Sequence, residues 1–227
     1  DDPSGHFVRA DALRLARLGN DVDVVCPGAP GLAIPKDDGI RVWPLPSGGA
    51  FGWPGLAARI RSNPFRLPWV AAFALAAQSR LSQIAPDRIV AHWLVPCGYP
   101  ISTPQCRQLE LVAHGADVRL LLAMPAVLRN AIVDRILSKA DRVRFAARAI
   151  LEKLLASLTS DLRDRLLAVA CVQPPLIEVP DVTDRAKCLR GEIPSRKLAT
   201  VVGRLVPGKR VDLAIRAVAR LNGLVHL

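Results

Sequence analysis

Short apolar runs alternate with longer runs of helical spacing, and this alternation restricts the fold more than any other feature of the chain. The runs at 21–26, 40–43, 88–92 and 109–114 are mostly apolar and bounded by Gly, Pro or Asp. Such runs are the mark of buried strands. Between or after them, the stretches at about 7–18, 68–84, 125–138, 147–157 and 161–169 repeat apolar residues with the helical period. The alternation predicts an α/β fold: a doubly wound parallel sheet covered by helices on both faces. In such sheets the ligand crevice lies outside the C-terminal ends of the strands.

The pattern changes after residue 172. Pro174, Pro175 and Pro180 cannot continue a helix, and a polar stretch follows them. The expected organisation is an N-terminal domain over 1–172, a connection over 173–196 and the start of a second domain over 197–227. That second part offers a strand at 198–202, a helix at 211–221 and the beginning of a strand at 224–227, too little to close a core. The front end passes from a loop at 1–6 directly into a helix, without the strand that opens a doubly wound domain. The sequence therefore reads as a piece of a longer fold, lacking its first strand and most of its second domain.

The formal net charge is +11, supplied mostly by arginine, which suits anionic partners such as nucleotide phosphates or anionic lipid. Nucleic acid is not expected: aromatics are 4% of the chain, and no zinc-finger or RNP-type motif occurs. Cys26, Cys97, Cys106, Cys171 and Cys188 are scattered with no C-x-x-C, as in a reducing cytoplasm. His92, Cys97, Cys106 and His114 match no common zinc spacing, so no metal is expected. No apolar run approaches the roughly 20 residues that span a bilayer.

From Gly39 to Pro86 there is no acidic residue. The span holds Arg41, Arg59, Arg61, Arg66 and Arg80 interleaved with Trp43, Trp53, Trp69, Phe65 and Phe73. That mixture suits the interfacial zone of an anionic membrane, and a cytoplasmic protein in peripheral contact with the inner face of a membrane is one expectation. A helical hairpin packed on its own domain, with solvated arginines, accounts for the span equally well.

Arg204 and Lys209 lie on the turn between the expected strand and helix of the second part. Backbone N–H groups and a positive helix end converge at such a turn, a natural place for phosphate. Gly203, Gly208 and Lys209 satisfy most of a P-loop, but Arg210 replaces the Ser or Thr that holds magnesium. Two solvated surface charges are the plain alternative.

Four segments resemble glycosyltransferase family 4. They are Gly5-His6-Phe7-Val8 with the Arg17-Leu18-Gly19-Asn20-Asp21-Val22 turn, Ala91-His92-Trp93 through Gly98, His114-Gly115-Ala116-Asp117-Val118, and Val202-Gly203-Arg204-Leu205 through Lys209. Asn20 stands where the family usually has His. The resemblance implies the GT-B fold, two facing Rossmann-like domains of which the second only starts here. It implies transfer of a sugar, with retention of anomeric configuration, from a nucleotide-sugar donor to a glycan or lipid-linked acceptor. Arg204 and Lys209 would hold the donor diphosphate, in place of a metal or other cofactor. His114 would position the transferred sugar, with Asp117 capping the next segment or orienting a side chain. Gly5, His92 and Trp93 would line the substrate side of the cleft. The family's E-x7-E donor segment does not fall within these residues. A non-catalytic or degenerate Rossmann-like module that binds a nucleotide or a membrane is the alternative.

Overall fold

The computed structural model describes residues 5–28, 36–37, 39–52, 55–101, 107–175, 183–191, 199–202 and 209–221. It divides into two compact units, Asp1–Ile177 and Glu178–Leu227. The first is an α/β unit whose strands form two small, mainly parallel sheets.

The first sheet contains β1 (Val22–Gly28), β2 (Lys36–Asp37) and β3 (Ile40–Pro46) in the order β1-β3-β2. β1 and β3 run parallel, with Val24 opposite Val42. Helix α1 (His6–Arg17) buries Ala12 and Leu13 against Ile40, Val22, Val24 and Val42. Helix α2 (Leu56–Ser62), a 3-10 turn at Pro64–Arg66 and α3 (Leu67–Ile84) follow. α3 buries Phe73, Ala74 and Ala77 with Leu45 and Ile101. It ends where Ala85 turns left-handed, one residue before Pro86.

The second sheet is parallel throughout, in the order β4 (Arg88–His92), β5 (Gln108–Ala113), β6 (Arg142–Phe145), β7 (Ala170–Val172). Helices α4 (Ala116–Leu122), α5 (Ala126–Leu137), α6 (Arg148–Leu155) and α7 (Ser160–Val169) connect or follow these strands. Leu111, Ala113, Val143 and Phe145 join Leu121, Leu154 and Leu166 in the largest core cluster. Each fully buried Leu or Phe there contributes about 1.5–3 kcal/mol.

Alternation along these strands makes the two faces of the second sheet unlike. Ile89, Leu109, Leu111, Val143 and Phe145 enter the apolar core. Arg88, Glu110, Arg142 and Arg144, which adjoin them in sequence, and His92, which adjoins the buried Ala91, belong to the opposite face. Parallel sheets usually bury apolar residues on both faces.

The five helices expected in the first domain form within two residues of their predicted ends. Two differences stand out. Among the described residues the strands make two sheets instead of the single sheet expected, with no pairing between β1 and β4. β6 and β7 also form where no strand was anticipated. The sequence R-V-R-F of β6 lacks the apolar run used to recognise a buried strand.

In the second unit, α8 covers Thr183–Gly191 and α9 covers Val211–Ala219. The helix expected at 211–221 is thus present. The strand expected at 198–202 is not formed by its described residues, 199–202, and Val202 is 93% exposed. An extended segment becomes a strand only when a ladder partner satisfies its backbone, and none pairs with it among the described residues. The strand expected at 224–227 lies outside the described residues.

Candidate functional site

The polar face of the second sheet gathers its ionisable groups near the C-terminal ends of β4, β5 and β6. His92 is the last residue of β4, and His114 follows β5 directly. Their rings lie nearly parallel, 10° apart, with Nδ1 of His92 3.0 Å from Nε2 of His114. Phe7 of α1 covers the His114 ring at 4.4 Å between centroids, and Trp93 stands 5.2 Å away. A small pocket is lined by Phe7, Asp11, His92, His114, Arg144 and Gln173, among others.

Three features of the backbone fix His114. Gly115 adopts φ +92, where side chains rarely sit, and a Cβ there would come within 3.2 Å of Ile150. Asp117, only 2% exposed in the first turn of α4, accepts hydrogen bonds from the backbone N–H groups of His114 (3.1 Å), Gly115 (2.9 Å) and Leu94 (2.8 Å). Its carboxylate therefore pins the strand end that carries His114 to the turn that follows His92 and Trp93. Trp93 itself has φ +73, a conformation that costs a non-glycine residue of order 1–3 kcal/mol. Its N–H donates to Val112 O at 2.8 Å, which helps to hold it there.

A buried charge network lies beside the imidazoles. Arg144 of β6 donates a short hydrogen bond to Asp11 of α1. Its Nε stands 3.1 Å from Glu110 Oε1, at an angle that makes the contact an ion pair without a hydrogen bond. Glu110 also pairs with Arg88. Asp11, Glu110 and Arg144 are each 6% exposed. Asp11 takes a further hydrogen bond from Arg14 and lies 3.8 Å from Nε2 of His92.

Burial pushes both imidazoles down to about 4. For His92, the Asp11 charge opposes that effect and Arg144 adds to it; for His114, His92 is the next contributor. Burial also works to raise the Asp11 carboxyl, but the hydrogen bonds from Arg144 and Arg14 outweigh it and hold the group below the usual carboxylate range. Both histidines are thus neutral near pH 7, and one ring donates to the other. The carboxylate facing Nε2 of His92 assigns the proton to that nitrogen. His92 Nδ1 then accepts from His114 Nε2–H, and His114 Nδ1 keeps a lone pair. The arrangement can accept a hydrogen bond from a ligand hydroxyl.

The expected residues divide as follows. His92, Trp93, His114 and Asp117 come together. Gly5 precedes α1 with φ −104, and a Cβ there would meet nothing within 4 Å. Lys209 is exposed, just ahead of α9, where Arg210 pairs with Asp212 at 3.3 Å. Arg204 lies outside the described residues, as do Gly203, Gly208, Trp53 and Cys106. The chain also carries one D-x-D triplet, Asp21-Val22-Asp23. Asp23 is occupied by Arg41 (2.8 and 2.9 Å) and Trp43 (2.7 Å). Among the described residues, no group of three or more His, Cys, Asp or Glu is placed to hold a metal ion. Burial raises the Cys97 thiol to about 12, which makes it inert.

Sequence reasoning missed Asp11, Glu110 and Arg144. A signal existed: Arg142 and Arg144 alternate with apolar residues, and Asp11 is the lone acid of a basic helix. No family model matches the chain, and no curated protein matches it.

Proposed function

We propose that this chain is the acceptor-side domain, with the opening of the donor domain, of a retaining glycosyltransferase of family 4 with the GT-B fold. The observation that carries the reading is the Asp117 clamp. It gives the H-G-x-D motif a physical purpose, presenting His114 at the C-terminal end of a parallel strand, where ligands of such sheets bind. The strand order also fits a Rossmann-like frame.

On this reading, His114 Nδ1 accepts a hydrogen bond from a hydroxyl of the transferred sugar, and His92 holds the ring in the tautomer that leaves Nδ1 free. Cleaving the anomeric C–O bond places negative charge on the departing diphosphate. Arg204 would bind that charge bidentately and Lys209 would add a point charge. At 4 Å and an effective dielectric near 20, each contact has a Coulomb scale of about 4 kcal/mol before desolvation. Fixed cations would thereby do the work of a metal.

One observation favours a second reading, a non-catalytic module: Phe7 and Trp93 crowd the His114 ring, at 4.4 and 5.2 Å between centroids. These residues alone lack a complete donor site and are not expected to be active, so incubation of a chain carrying both whole domains with a panel of nucleotide-sugars separates the two. Transfer predicts release of nucleoside diphosphate, reduced at least about a hundredfold in Arg204→Ala or Lys209→Ala. Release from no member of the panel favours the module, and near-normal release in either variant removes the diphosphate role of Arg204 and Lys209.

A further inference from the structure

We propose that the tip formed by α2, the 3-10 turn and the start of α3 docks on an anionic lipid bilayer. Phe65 is 87% exposed at the turn, Leu67 is 57% exposed and Trp69 46%. Farther along α3, Pro68, Ala71, Ala72 and Leu75 occupy one outward stripe with i, i+3, i+4, i+7 spacing, and Leu75 is 68% exposed. From Leu67 to Ser79 the helix carries no charged residue. An outward helix face in water normally carries charged and polar residues.

The tip is held in shape. Asn63 Oδ1 accepts from the Phe65 N–H at 3.1 Å, and Arg66 N–H donates to Asn63 O at 3.2 Å. The Trp69 ring packs on Gly48, where φ is +52 and an added Cβ would come within 2.2 Å of Trp69 Cγ. Phe65 is therefore displayed on an ordered turn, and little conformational entropy is lost on insertion.

Charge identifies the occupant. No acid occurs between Gly39 and Pro86, and Arg59, Arg61 and Arg66 accompany the exposed aromatic residues. A second copy docking tip to tip would bring these same arginines together, whereas anionic headgroups answer them and the acyl boundary receives Phe65 and Leu67. Among the described residues no helix is long and apolar enough to cross a membrane, so the tip would lie at the interface. This inference stands apart from the sugar-transfer reading, since vesicle binding needs no substrate.

The test is co-sedimentation with phosphatidylcholine vesicles, with and without phosphatidylglycerol. Binding is expected to the phosphatidylglycerol vesicles, to weaken with salt, and to fall about fivefold in Arg61→Gln, the effect of one arginine near a charged surface. Phe65→Ser should weaken it about tenfold while the thermal midpoint stays unchanged. Equal binding to both vesicle types, or to neither, overturns the proposal. So does a dimer in vesicle-free solution that Phe65→Ser dissociates.

Discussion

The polar edge of the second sheet and the α2–α3 tip invert the usual arrangement in opposite senses. At the sheet edge, Asp11, Glu110 and Arg144 are buried with two imidazoles. At the tip, Phe65, Leu67 and Leu75 face outward. Burial of ions is tolerated only with partners, and exposure of apolar groups is tolerated where little else is lost. The comparison therefore predicts unequal sensitivity: the sheet edge is coupled and fragile, the tip independent and robust.

The largest expected effect is at Arg144. Replacing it with Met leaves Asp11 and Glu110 buried without their shared cation, a loss of about 3–5 kcal/mol measured by urea unfolding. A shift below about 1 kcal/mol would mean that water reaches the network, and the contrast with the tip would fail.

Acid comes next. Both imidazoles lie near 4 in the folded chain, below the ordinary 6.5, so the unfolded chain takes up protons first as pH falls. Their contribution to stability is complete above about 6.5 and is lost as pH drops from there toward 4. The loss is on the order of a few kcal/mol for the pair at the acid end, since the two rings titrate together. Urea midpoints at intervals across this window should decline in the native protein and decline less in a His92→Gln, His114→Gln double variant. Equal pH dependence in the two would show that neither ring is buried neutral.

The smallest effect belongs to the tip. Phe65→Ser should change stability by no more than about 0.5 kcal/mol, since the side chain touches little in the folded chain. A larger loss would mean that the ring is packed, which would weaken the membrane proposal as well.

The sequence disclosed these regions unequally. α1, α3 and α5 through α7 were legible because each repeats apolar residues with the helical period. β4 and β5 were legible as short apolar runs. β6 was not, because Arg142 and Arg144 interrupt it, and a run-based reading treats charge as a sign of surface. His92, Trp93, His114 and Asp117 were legible through local motifs. Asp11 was not: its meaning depends on Arg144, which lies 133 residues away. No local pattern encodes such a partnership. The acid-free span was visible at once, but which of its aromatic rings lie outside the core was not: Phe65 is exposed while Phe73 is buried.

The site reading is tested most directly by following the imidazole NMR signals of His92 and His114 near pH 7, in a chain carrying both whole domains, while nucleotide-sugars are added. The account predicts neutral rings with Nε2 of His92 protonated. It also predicts that at least one donor perturbs His114 saturably, an effect lost when Asp117→Asn loosens the clamp. Charged rings at that pH, or signals that no nucleotide-sugar moves, would contradict it.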